Sequence, residues 1–171
     1  ELANYNAIVN AVGNGIIVVE AAGNGSQDLD AAVYSEGNDG HWPFLAANDS
    51  GAIIVGAGAA PAGSTTDRSR LWFSNWGSRV NVQGWGEKVT TTGYGDLYSA
   101  EGVNKYFTAG FNGTSSATPT VAGVCTLLQS VAKATSGTPI EPLALRASLM
   151  ATGSPQTSGS APLSQHIGPR P

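Results

Sequence analysis

Two short β-branched runs, each fenced by glycines, constrain the fold more than anything else in the chain. Ile16-Ile17-Val18-Val19 follows Gly13-Asn14-Gly15 and runs on to Ala21-Ala22-Gly23-Asn24-Gly25. Ala52-Ile53-Ile54-Val55 stands between Gly51 and Gly56-Ala57-Gly58. Continuous runs without polar alternation predict strands buried on both faces, as in a parallel sheet. Ahead of the first run, Leu2, Tyr5, Ile8, Val9 and Val12 recur at helical spacing, and Gly13-Asn14-Gly15 supplies the left-handed conformations that stop a helix. Helix, tight turn and buried strand make half of a right-handed βαβ unit. There is no start Met and no signal peptide ahead of this helix, so further polypeptide is expected upstream.

The rest of the chain adds strands, then helices. Residues 26–50 are polar and irregular, with Trp42-Pro43-Phe44 inside, and a loop of that length predicts function. Gly56-Ala57-Gly58 invites a dinucleotide-binding reading that fails. The third glycine would fall on Pro61, and Gly63-Ser64-Thr65-Thr66 opens no helix. Val80, Val82 and Val89 predict strands between Leu71 and Thr92, and Tyr106–Phe111 predicts another. Thr118–Ala134 reads as a helix with Val121, Val124, Cys125, Leu128 and Val131 on one stripe. Its other faces carry Ala, Gly and Thr, which predicts burial nearly all round. A last helix begins near Pro142 with Leu145 and Leu149 inward, and the Ser/Gly/Pro-rich segment 153–171 predicts a loose tail.

Composition excludes several function classes. A net charge of −4 argues against nucleic-acid binding. One cysteine permits no internal disulfide and no thiolate metal site. No apolar run approaches the roughly 18 residues of a membrane span. The 23 glycines and only 12% charged residues suit a secreted bacterial hydrolase or a piece of a larger fold.

Two segments carry chemistry. In Phe111-Asn112-Gly113-Thr114-Ser115-Ser116-Ala117-Thr118-Pro119, a serine among small residues stands where a turn meets the start of a buried helix. Helix capping accounts for it. So does a nucleophile, because free N–H groups at a helix start stabilise an oxyanion formed beside Ser115. Ala21-Ala22-Gly23-Asn24 closes a buried strand at its carboxyl end, where α/β sheets place their sites. Asn24 is either part of a turn or an amide donor to that oxyanion.

Ala-Ala-Gly-Asn, Trp-Pro, a strand ending Val-Gly-Ala, Phe-Ser-Asn-Trp-Gly and Gly-Thr-Ser-Ser-Ala-Thr-Pro-Thr-Val-Ala-Gly follow one another in this order. Together they resemble the C-terminal part of the catalytic domain of a subtilisin-like serine protease, a subtilase, from Glu1 to about Thr152. The resemblance implies an α/β, three-layer fold with a parallel central sheet, of which residues 1–171 form only the later portion. It implies peptide-bond hydrolysis on protein or peptide substrates, with Ser115 as nucleophile. Asn24 and the Ser115 N–H would be the oxyanion donors. Ala21, Ala22 and Gly23 would wall the pocket for the residue before the scissile bond, with Thr114 beside it. His41, Trp42 and Pro43 would lie near the pocket floor, where the family implies a cis Trp42-Pro43 bond.

The chain departs from the pattern in one serious respect. The family runs Asp, His, Ser along the chain. Here Asp49-Ser50-Gly51 leads into a strand and reads as a turn. His41 precedes Trp-Pro, and His166 lies after the nucleophile. The Asp and His are therefore expected from an N-terminal segment, upstream or as a separate chain. An inactive subtilase remnant serving as a binding or structural module is the alternative. An unrelated α/β hydrolase would need a Gly-x-Ser-x-Gly elbow, which is absent. Subtilases often bind calcium, and Asp28, Asp30, Asp39 and Asp49 offer oxygens, although a solvated acidic loop is the preferred account. Composition and charge predict a secreted or extracellular bacterial protein, with no membrane or nucleic-acid partner.

Overall fold

The computed structural model describes residues 2–34 and 44–171. The predicted cis Trp42-Pro43 bond, His41 and Asp39 lie outside the described residues.

β-Branched side chains without alternation become the inner strand of a parallel sheet. Ile53–Gly58 (β2) is buried along its whole length and lies between Val19–Ala21 (β1) and Val82–Trp85 (β3). Val19 stands opposite Ile53, and Val55 opposite Val82. The first run enters the sheet later than its composition predicts. The Ile16 N–H is still held by the Ala11 carbonyl of Leu2–Gly13 (α1), so regular pairing starts at Val19. Val89–Thr92 (β4) and Phe107–Phe111 (β5) form a separate antiparallel ribbon that leads straight into Thr114–Ser136 (α2). Pro142–Thr152 (α3) starts on its proline, as expected.

Alternate strand residues feed two cores. Ile53, Val55 and Val82 meet Ala117, Val121 and Cys125 of α2 and Leu145 and Leu149 of α3 on one face. Ala22, Ile54 and Val80 meet Leu29 and Ile167 on the other. On that second face α1 leaves a cavity of about 320 Å³ between Tyr5 and Ile8 and the residues Glu20, Ala22 and Ile54 of the sheet and the turn after β1. None of the α1 residues is buried. The α2 helix is not buried all round: Leu127 and Val131 are 68% and 60% exposed.

The closeness of α2 to the sheet depends on Gly84. A methyl group there would lie 2.3 Å from the Ala117 carbonyl oxygen and 2.5 Å from Thr120 Oγ1. Gly84→Ala is expected to cost about 1–3 kcal/mol, because helix backbone cannot move aside cheaply. Denaturant unfolding of the variant measures this, and a midpoint unchanged from the parent contradicts it.

The segment after Gly153, for which composition predicts a loose tail, is bound to the body. Ser154 and Arg170 exchange backbone hydrogen bonds of 2.7 and 2.8 Å. The Gln83 N–H of β3 donates to the Pro169 carbonyl at 3.0 Å, and Ile167 is fully buried. Arg170 pairs with Asp67 and reaches the Ala59 carbonyl. The prolines and glycines that suggest disorder here instead let an extended segment lie along the sheet.

Asp49 does form the expected turn, accepting the Gly51 N–H at 2.8 Å. It is also the anion of an ion cluster. Its Oδ1 accepts from Arg146 Nη1 at 2.8 Å and Arg79 Nη2 at 3.0 Å, and its Oδ2 from Arg146 Nη2 at 2.6 Å. The Arg146 hydrogen bonds, opposed by burial and reinforced by the Gly51 N–H, hold its pKa down to about 2. An unfolded aspartate titrates near 3.9. The depressed group therefore stabilises the fold fully above about pH 5, and that contribution fades as pH falls towards 2. With the side chain 29% exposed, the loss should be about 1–2 kcal/mol. Unfolding free energies from pH 6 to 2, for the parent and for Asp49→Asn, measure it. Equal pH slopes for the two proteins would contradict the assignment.

Candidate active site

The turn after β1 and the start of α2 come together at the carboxyl end of the sheet. Gly113 precedes α2 with φ of 98°, a left-handed conformation that suits glycine. Its N–H is tied to the Gly86 carbonyl at 2.9 Å, which anchors the helix start behind β3. Ser116 is fully buried, and its Oγ donates to a backbone carbonyl, with those of Trp85 and Gly113 both at 2.9 Å. The helix begins at Thr114, four residues earlier than its apolar stripe suggests, because these local bonds satisfy its first turn.

Asn24 meets this helix end. Its Oδ1 accepts both the Thr114 N–H and the Thr114 hydroxyl, each at 2.9 Å. The same hydroxyl accepts the Gly23 N–H at 3.2 Å. Two donors converge on Oδ1, so the amide nitrogen must face the other way. Among the described residues, neither Asn24 Nδ2 nor the Ser115 N–H has a partner. Ser115 is exposed between buried Thr114 and Ser116. Two unclaimed donors, the positive end of a 23-residue helix and an exposed hydroxyl thus share one corner. That arrangement can accept a developing negative charge.

The structure therefore brings Ser115, Asn24, Gly23 and Thr114 together. Thr114 uses its side chain to hold Asn24 and Gly23. Ala21 and Ala22 border the 320 Å³ cavity beside α1, together with Glu20 and Arg79. Burial raises the Glu20 carboxyl above its usual range, and the nearby Arg79 charge partly offsets this. His166 is elsewhere, its carbonyl accepting the Gly77 N–H beneath the opposite sheet face. No described side chain hydrogen-bonds Ser115 Oγ.

The described residues hold no group of three or more His, Cys, Asp or Glu side chains that could bind a metal. Asp30 holds Ser78, Asp28 accepts the Asp30 N–H, and Asp49 is taken by arginines. Cys125 is buried in the core, and its thiol is pushed up by burial. No described helix is long and apolar enough to cross a membrane. One residue escaped the sequence reading. Asn75 bonds the Asn24 turn with its side chain, and its only signal was its place in Phe-Ser-Asn-Trp-Gly.

Comparison with known proteins bears on the fold and the family. Solved structures of similar fold include a lanthipeptide protease, at 19% identity and a TM-score of 0.66 over 90% of this chain and 48% of that one. The self-cleaved protease domain of PatA is 24% identical, with a TM-score of 0.59 over 88% and 47% of the two chains. The PatG macrocyclase domain is 22% identical, with a TM-score of 0.60 over 92% and 40%. At these identities the likeness is one of fold, and the chain spans less than half the length of each. No curated protein gives a significant match. The subtilase family matches residues 2–168. By a match that runs nearly end to end, on a partial subtilisin fold, this chain belongs to the subtilase family.

Proposed function

We propose that the chain is the nucleophile-bearing portion of a subtilisin-type serine endopeptidase, with Asp and His supplied by polypeptide outside this sequence. The observation that carries the reading is the Asn24 amide, fixed by Thr114 beside exposed Ser115. Ser115 Oγ attacks the scissile carbonyl carbon and gives its proton to the histidine. The oxyanion accepts from Ser115 N–H and Asn24 Nδ2. Collapse breaks the C–N bond, the amine leaves with that proton, and water then releases the acyl group from Ser115. Ala21, Ala22 and Gly23 wall the pocket for the residue before the scissile bond.

The free surfaces support a missing neighbour. Among the described residues no strand pairs with the outer side of β1. A cavity of about 470 Å³ opens there between Ile17 and Val19 and the α2 residues Ala122 and Cys125. Parallel strands ordinarily have both sides occupied or covered.

One observation favours the second reading, an inactive module: no described group is placed to take the Ser115 proton. Fluorophosphonate labelling separates the two. Ser115 should label when this chain is assembled with the polypeptide carrying Asp and His, and weakly or not at all alone. An unlabelled assembly supports the inactive module. A secreted bacterial origin accords with the low charge and single cysteine, and recovery of the chain from culture medium tests it.

A further inference from the structure

Asn24 is clasped from one side by Thr114, and from the other its turn rests on a second asparagine 51 positions along the chain. We propose that Asn75 is a positioning residue for the oxyanion donor, an inference that rests on the protease reading above. Asn75 Oδ1 accepts the Gly25 N–H at 3.0 Å and the Gln27 N–H at 2.9 Å. Its Nδ2 donates to the Ala22 carbonyl at 2.8 Å. One amide thus binds backbone groups on both sides of Asn24. Asn24 is itself exposed and flanked by Gly23 and Gly25, so little in its own backbone fixes its direction.

The contact is specific in chemistry. Both ends of the Asn75 amide are used, one accepting and one donating. Aspartate would keep the acceptor and set a carboxylate oxygen against the Ala22 carbonyl. The loop would survive loss of the side chain, because backbone bonds also join the two segments. Asn75 N–H donates to Gly23 O at 2.9 Å, Ser26 N–H to Phe73 O at 2.8 Å, and Trp76 N–H to Gln27 O at 3.0 Å. Removing the side chain therefore tilts the turn without releasing it. A donor misplaced by a fraction of an ångström loses strength where charge develops and leaves ground-state binding nearly intact.

The test is a four-protein cycle on the assembled protease: parent, Asn24→Ala, Asn75→Ala and the double variant. Each is assayed for kcat and KM on a peptide amide and for thermal unfolding. Asn24→Ala should lower kcat by about 10²–10³-fold, the scale known for the equivalent asparagine in subtilisin. Asn75→Ala should lower kcat by about 10–100-fold with KM changed less than about threefold. In the double variant the second loss should vanish, leaving kcat within about threefold of Asn24→Ala alone. An equal loss in both backgrounds, or an unchanged kcat in Asn75→Ala, overturns the inference and leaves the protease reading standing. An Asn24→Ala protein with parental kcat overturns both. If Asn75→Ala does not fold, Asn75→Asp decides, with a fall in kcat expected in the Asn24 background only.

Discussion

Ser115→Ala should remove nearly all peptide-bond hydrolysis from the assembled protease. The expected fall in kcat is about 10⁶-fold, the scale measured when subtilisin loses its nucleophile. KM should change little, because Ser115 is exposed and its hydroxyl holds no other described group, so the variant loses a reactant and no packing. Thermal unfolding should be unaltered for the same reason. What activity remains comes from the two N–H donors and substrate binding. A loss below about 100-fold would remove Ser115 from the reaction, since general acid–base groups alone reach that range.

Asp49→Ala should be the most destabilising single change at the ion cluster. Arg79 and Arg146 have side chains only 7% and 14% exposed, and Asp49 is the anion that both contact. Arg79 already has an Nε buried without a partner. Removing the carboxylate leaves two partly buried cations facing each other, a situation that costs about 3–5 kcal/mol. Because Asp49 is partly solvated, the lower end is expected, about 3 kcal/mol or some 6–12 °C in melting temperature for a domain of this size. Arg146→Met in the same background should recover part of the loss, by relieving repulsion. A melting temperature within about 2 °C of the parent would show the cluster to be dispensable.

What the sequence revealed, and what it hid, follows from distance along the chain. The Leu145 and Leu149 pair, the β2 run and the Val121 and Cys125 stripe declare themselves through local periods, and each packs where its period predicts. Ser115 and Asn24 are legible as motifs, but the bond that brings their segments together, from Thr114 N–H to Asn24 Oδ1, spans 90 positions. The same holds for Asp49 with Arg146, 97 positions apart, and for Asn75 with the Gly25 turn, 50 apart. A pairing of that kind leaves no trace in the spacing of neighbours. The tail misled for a different reason. Its composition reports high backbone freedom, whereas its order comes from carbonyls and amides offered by β3 and from the buried Ile167 side chain. Leu127 and Val131 carry the reverse lesson. Val131 continues a stripe that predicts burial and Leu127 lies on a face expected to be buried as well, yet nothing described covers them.

The strap formed by residues 154–170 gives the sheet a handedness of assembly. One border is sealed, because the outward amide of Gln83 is already occupied by Pro169. Along the other border, β1, no strand pairs among the described residues. The β1 border is therefore the freer side for a joining strand. Trimming the chain before Pro169 would erase that distinction and give a particle with two adhesive borders, prone to stack on itself rather than to complete its site.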